Sequence, residues 1–112
     1  MNYSDRLRLL ALNDANFIES CMRPLAQCPE VLTGRDVALA RLGGLLALGG
    51  AVESYGEIVD AALDAGVTVD EIVEVIVRMV PIIGTPRAVA EAPKLAMALG
   101  YDVDAALEQR EP

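Results

Sequence analysis

The sequence predicts an all-α protein of about six helices, and three observations lead to this fold class. Apolar residues recur at helical spacing along the chain, and no segment alternates polar and apolar residues as a half-buried strand does. Capping residues and glycines bound the segments that carry this spacing. Hydrophobic residues make up 54% of the chain and aromatic residues only 4%, so the core must consist of aliphatic side chains.

The first two predicted helices are short. Residues 3–12 form one of them, with Leu7, Leu10 and Ala11 on one side. Asp14 is a candidate N-cap for the second helix, which we expect to reach about residue 25. Pro24 and Pro29 then break the chain before the third helix.

The third and fourth helices have clear end signals. Thr33 and Asp36 have the spacing of a capping box, so helix three begins at Thr33. It must loosen near residues 49–50, because two glycines inside a helix cost about 1 kcal/mol each. Helix four is predicted from about residue 52 to 65, and Gly66 ends it.

The last two helices are bounded in the same way. Thr68 and Glu71 form a second capping box and open helix five, which reaches about residue 83. Thr85 is expected to cap helix six, with Pro86 at its first position. That helix ends at Gly100.

Composition limits the classes of partner. We expect one domain over residues 1–112, since no linker, repeat or low-complexity segment divides the chain. The net charge is −8 and there is no basic stripe, which argues against nucleic acid as a partner. The longest uncharged run, residues 42–52, is shorter than the roughly 20 residues that span a membrane. Charged residues interrupt the start of the chain, so we expect no signal peptide and a cytoplasmic protein.

Helix five is apolar on every face beyond its first turn. A domain of this size has too little core to surround such a helix, so the pattern predicts a subunit interface and a homo-oligomer. The residues concerned are Ile72, Val73, Val75, Ile76, Val77, Met79, Val80, Ile82 and Ile83.

One face of helix four is acidic. Glu53, Glu57, Asp60 and Asp64 lie on a single stripe. The stripe is either a solvated surface or the edge of a pocket in which Glu53 or Glu57 acts as a base. In the second case an arginine would face it, and the candidates are Arg35, Arg41, Arg78 and Arg87.

The opposite face of helix four is small and apolar, and it belongs to a recognisable pattern. The helix ends in AALDAG at residues 61–66, VTVDEI follows at 67–72, and GTPRA stands at 84–88. In this order and spacing, over roughly residues 33–100, the motifs resemble the carboxymuconolactone decarboxylase family, which includes the alkylhydroperoxidase D-like proteins. The resemblance implies a helical domain of that type, assembled as a trimer or a hexamer.

The resemblance also indicates which reactive groups are missing. Peroxidase-type members carry CxxCxxxH on this helix, and the matching positions here hold Ala51, Ser54 and Ile58. Decarboxylase-type members keep the histidine at the last of these places, whereas this chain has no histidine. Thiol peroxidase chemistry at this face is therefore excluded, because it needs a reactive thiolate and a resolving thiol.

Two functions remain open. The first is non-redox acid–base chemistry on a small lactone or carboxylate compound, with Tyr55 as proton donor and Glu53 or Glu57 as base. Arg78 or Arg87 would bind the substrate carboxylate in a pocket lined by Ser54 and Ile58. The second is a catalytically degenerate member that binds a small molecule or serves as a structural oligomer. No cofactor or metal is expected for either. A tyrosine such as Tyr55 is more often a packed ring with a hydrogen-bonded hydroxyl than an acid.

The two cysteines have no metal or redox spacing. Cys21 and Cys28 lie seven residues apart, and no histidine is available to complete a zinc site. We interpret them as buried apolar thiols, the alternative being a redox pair brought together by the intervening loop.

Overall fold

The structure, a computed structural model, describes residues 2–22 and 31–101. Within these ranges it contains six helices and no strand, which confirms the all-α fold class. The chain falls into two compact units, Met1–Val31 and Leu32–Pro112. The single domain over residues 1–112 stays a prediction.

The first unit contains two short helices, α1 (Tyr3–Ala11) and α2 (Ala15–Cys21). The predicted cap of the second is confirmed, since the Asp14 side chain accepts a hydrogen bond from the backbone N–H of Phe17 at 3.0 Å. The extension of this helix to residue 25, together with Pro24 and Pro29, lies outside the described residues.

The second unit contains four helices, α3 (Gly34–Leu48), α4 (Val52–Asp64), α5 (Val69–Ile83) and α6 (Thr85–Ala98). Helix α3 packs against the other three, and α4 and α5 each pack against α6. The core is aliphatic apart from one tyrosine, and full burial of each Leu or Ile contributes about 1.5–3 kcal/mol. Its members are Ala38, Leu42, Leu46, Tyr55, Val59, Ala62, Val67, Ile72, Ile76 and Leu95.

Two of the three predicted caps in this unit are confirmed. Thr33 with Asp36, and Thr68 with Glu71, each form a complete capping box. The cap predicted at Thr85 is wrong, because Gly84 is the N-cap of α6 and Thr85 is its first helical residue. Gly84 also ends α5, and its φ of +86° turns the chain within one residue, so no separate threonine cap is needed.

The break predicted between helices three and four is also present. Helix α3 ends at Leu48, and Gly49 follows with a φ of +85°. The positive φ favours glycine at position 49, and a Cβ atom there would also lie 2.7 Å from a side-chain nitrogen of Arg87, which would have to move. This turn brings the start of α4 against α6.

Helix α5 is covered on only part of its surface. Ile72 and Ile76 are buried in the core, whereas Val73 and Val77 are exposed. Among the described residues, no helix is both long enough and apolar enough to cross a membrane.

Thr68, which caps α5, and Thr85, which caps no helix, provide a matched pair of substitutions. Thr68→Ala removes the side-chain acceptor of a capping box and should lower the free energy of unfolding by about 1 kcal/mol. Thr85→Ala removes no cap and should change it by less than about 0.5 kcal/mol. Urea unfolding followed by circular dichroism measures both, and equal losses would contradict the assignment of Gly84 as the cap.

Candidate functional site

The three positions that match CxxCxxxH lie along one face at the start of α4. Ala51 is the N-cap and is exposed, while Ser54 and Ile58 are half-buried. Ile58 packs against the hydrophobic core. A cysteine pair at the first two positions would sit where a helix N-terminus lowers a thiol pKa, but the residues present supply no thiol and no imidazole.

Tyr55 follows Ser54 and points into the core. It is 0% exposed, and its hydroxyl donates a hydrogen bond of 2.7 Å to Oε1 of Glu91. Burial, this hydrogen bond and the negative charge of Glu91 raise the pKa of Tyr55 well above its usual 10.0, and the positive charge of Arg87 offsets only part of that rise. Tyr55 is therefore a poor proton donor at neutral pH.

Glu91 is the acidic partner of Tyr55, and it belongs to α6. It is 2% exposed and is the only buried charged residue in the described part of the chain. Its Oε1 accepts hydrogen bonds from the Tyr55 hydroxyl and from the Gly50 N–H, the latter at 2.9 Å. Its Oε2 accepts from Nζ of Lys94 at 2.9 Å.

These contacts set the charge state of Glu91. Burial alone would raise its pKa, but the hydrogen bonds from Tyr55, Lys94 and Gly50, with the charge of Lys94, lower the pKa from 4.5 to about 2. The carboxylate is thus ionised at neutral pH and accepts hydrogen bonds at both oxygens. A general base needs a pKa near the working pH, so this carboxylate is a weak one.

Arg87 lies at the edge of this group. Its side chain is exposed, and its NH1 donates to the carbonyl oxygen of Leu48 at 3.4 Å, beside the turn at Gly49. A Cβ atom built on Gly49 would lie 2.7 Å from NH1 of Arg87 and 3.7 Å from Oε1 of Glu91, so the guanidinium and the buried carboxylate approach the same turn. Of the predicted site residues, the structure therefore brings Arg87 close to Tyr55.

The predicted bases are elsewhere. Glu53 and Glu57 are exposed on α4, as are Asp60 and Asp64, so the acidic stripe faces outward in this chain. Neither glutamate forms a hydrogen bond or ion pair with any residue in the ranges 2–22 and 31–101. Tyr55, on the same helix, points inward and bonds to Glu91 instead.

Arg78 lies on another surface of the second unit. It pairs with Glu74 one turn away, with 3.5 Å between nitrogen and oxygen, and both side chains are largely exposed. It also lines an open groove of about 370 Å³ between α3 and α5, with Leu39, Glu71, Glu74, Val75 and Met79. Arg35 forms an ion pair with Glu71 rather than with an acid of α4.

Glu91 is the residue that sequence reasoning missed. A signal for it exists, because Glu91 interrupts the otherwise small and apolar run Ala88–Ala92 and has Lys94 three residues later. That spacing is also common on solvated helix faces, so the pattern alone does not distinguish a buried acid from an exposed one.

The cysteine interpretation needs a correction. Cys21 is an exposed free thiol, because it lies at the end of the short helix α2, of which no residue is buried. Cys28 lies outside the described residues. Within the part of the chain that is described, no group of three or more His, Cys, Asp or Glu residues could hold a metal ion.

Comparison with known proteins gave one finding. The protein-family model described as "Carboxymuconolactone decarboxylase family" matches residues 15–97, which is most of the chain. Neither the curated proteins nor the solved structures yielded a match.

The hydrogen bond between Tyr55 and Glu91 should be measurable as stability. Tyr55→Phe leaves the buried carboxylate with one donor fewer and should lower the free energy of unfolding by about 2 kcal/mol. The matched control is Tyr101→Phe, since that ring is 59% exposed, and a change below about 0.5 kcal/mol is expected there. Chemical unfolding of the three proteins tests this, and equal stability of the Tyr55 variant and the wild type would refute it.

The low pKa of Glu91 predicts a specific acid sensitivity. Because the pKa is lower in the folded state than the ordinary 4.5, ionised Glu91 stabilises the fold above about pH 5, and this contribution is lost as the pH falls towards 2. The shift corresponds to roughly 3 kcal/mol at neutral pH. Unfolding free energies of wild type and Glu91→Gln between pH 2 and 7 measure it, and the variant should have the shallower slope over this range. Parallel slopes would contradict the assignment.

Proposed function

Because the chain belongs to the carboxymuconolactone decarboxylase family, we propose that it is a catalytically degenerate member that functions as a structural homo-oligomer. The oligomer would be a trimer or a hexamer, as the resemblance implies. The observation that carries the proposal is the Tyr55–Glu91 hydrogen bond, which engages the tyrosine beside the family's reaction face in a buried contact.

The absence of thiol peroxidase activity follows from the groups on α4. Peroxide reduction needs a low-pKa thiolate and a second thiol to resolve the sulfenic acid. Ala51 and Ser54 supply neither, and Ile58 replaces the histidine. Cys21 is exposed on a different helix, in the other compact unit.

The protonation states of Tyr55 and Glu91 disfavour acid–base catalysis. The pKa of Tyr55 lies far above neutral pH and that of Glu91 far below, so neither group exchanges a proton readily near pH 7. Catalytic acids and bases are usually shifted towards neutrality rather than away from it. Such displaced values are typical of a contact that stabilises the fold.

Assembly is supported by the exposed apolar surface of the second unit. Leu48 is 82% exposed, Ile82 77%, Val89 66% and Val77 59%. Burial of such side chains against other subunits would remove them from water, as in an oligomer interface.

A second function is favoured by one observation, the position of Arg87. Its exposed guanidinium lies beside the buried pair and could bind the carboxylate of a small lactone bidentately. In this case Tyr55 would donate the proton, with Ser54 and Ile58 against the substrate. Glu53, Glu57 and Arg78 have no contact with Tyr55 that supports a part in the same site.

Two assays and one mass measurement test the proposal. The full chain is incubated with a carboxymuconolactone, with release of CO2 as the readout, and separately with hydrogen peroxide and a dithiol. We expect no CO2 above the protein-free rate, and peroxide consumption no faster than in a Cys21→Ser/Cys28→Ser variant. Sedimentation velocity should give a mass above that of one 11.9 kDa chain.

Each result decides between the two functions. CO2 release that falls at least about tenfold in Arg87→Ala would establish the second function and overturn the first. Peroxide turnover that requires the cysteines would overturn both. A monomeric protein without activity would contradict the structural oligomer.

A further inference from the structure

Helix α5 carries a row of valines that the other helices of the second unit leave largely exposed. Val69, Val73, Val77 and Val80 fall within about 80° of arc on a helix that turns 100° per residue. The first three are 50%, 43% and 59% exposed, and Val80 is half-buried. We call this row the valine strip. It lies beside the face through which Ile72 and Ile76 enter the core.

An ion pair of opposite charges borders the valine strip. Glu74 and Arg78 follow the strip along the helix surface, one turn apart, with side chains 63% and 79% exposed. An exposed pair at this spacing stabilises a helix by only about 0.3–0.5 kcal/mol. Both groups are therefore available to a partner at little cost.

The order of Glu74 and Arg78 along α5 allows two copies of the helix to pair their opposite charges. If two copies of α5 lie antiparallel about a two-fold axis at the height of Ile76, Glu74 of each copy reaches the height of Arg78 in the other. The same register places the two Val77 residues on either side of the two-fold axis, about 3 Å apart along the helix direction. The other valines of one copy then alternate along this direction with those of the second copy. One arrangement thus covers the apolar row and joins the opposite charges.

We propose that the valine strip is the contact surface for a second copy of this chain, in an antiparallel two-fold contact that exchanges Glu74 and Arg78 between subunits. This inference rests on the assembly proposed above and specifies one of its interfaces. A two-fold contact exists in a dimer and in a hexamer of dihedral symmetry, but not in a cyclic trimer. It therefore favours the hexamer over the trimer.

Charge-reversal variants test the exchange. Glu74→Arg places two arginines opposite two arginines, and Arg78→Glu places two glutamates opposite two glutamates. Each variant alone should lose the two-fold contact, with a dissociation constant at least about tenfold higher. The assembly mass should then halve, because a hexamer would leave trimers and a dimer would leave monomers.

Mixing the two variants separates an exchange between subunits from an effect within the helix. In the mixture every arginine at position 74 or 78 faces a glutamate of the other chain, so the wild-type mass should return. The double variant Glu74→Arg/Arg78→Glu should also assemble as the wild type does. Repulsion within one helix is not relieved by mixing, so a mixture that stays at half mass would overturn the proposal.

A second substitution tests the apolar row independently. Val77→Asp should halve the mass without loss of helical circular dichroism, since Val77 contributes little to the core. Leu63→Asp on α4, at a site 44% exposed, is the matched control and should leave the mass unchanged. An unchanged mass for Val77→Asp, or a wild-type trimer, would refute this interface while leaving the proposed oligomer intact. A wild-type monomer would refute both.

Discussion

The arrangement around α4 depends on one buried charge. Glu91 is removed from water, and an ionised carboxylate in such a place is tolerated only when donors replace its lost hydration. Three donors do so, from a side chain of α4, the backbone after α3 and a side chain of α6 itself. The requirement to satisfy Glu91 therefore holds together two helices and the turn that joins α3 to α4.

This constraint also shapes the chemistry that the site can perform. Three donors bind the Glu91 carboxylate, two at Oε1 and one at Oε2, and they keep it ionised at neutral pH, which makes it a weak base. The single O–H of Tyr55 donates its hydrogen bond to this carboxylate, so it is not directed at a substrate. The absence of cysteine and histidine at positions 51, 54 and 58 and the burial of Tyr55 both support the proposal of a catalytically degenerate member.

The sequence predicted what depends on neighbours in the chain and missed what depends on distant ones. The capping boxes at Thr33 and Thr68 join residues three positions apart, so their pattern is visible in the sequence. Glu91 bonds to Gly50 and Tyr55, which are 41 and 36 positions away, and no local pattern records such a contact. The error at Thr85 has a different, local origin, because the adjacent Gly84 ends α5 and also caps α6.

The sequence predicted only part of the candidate site, because the acid that contacts Tyr55 lies on another helix. Tyr55 and Arg87 are both predicted site residues and lie near each other, whereas Glu53 and Glu57 are predicted as bases from the acidic stripe of helix four and face away from Tyr55. On a helix, positions two residues apart point to different sides, so Glu53, Tyr55 and Glu57 do not converge. The acid that does reach Tyr55 comes from α6, and only the packing of α4 against α6 determines this.

The buried pair and the valine strip lie on separate parts of the second unit, and this separation has a consequence for how the fold is retained. Tyr55 and Glu91 join α4 to α6, whereas the valine strip and its bordering charges belong to α5. Substitutions that remove reactive groups from α4 leave the apolar row of α5 untouched. A chain without the reactive groups of α4 could therefore keep the valine strip. Selection for assembly alone would preserve the aliphatic core, the helix caps and the apolar residues of α5.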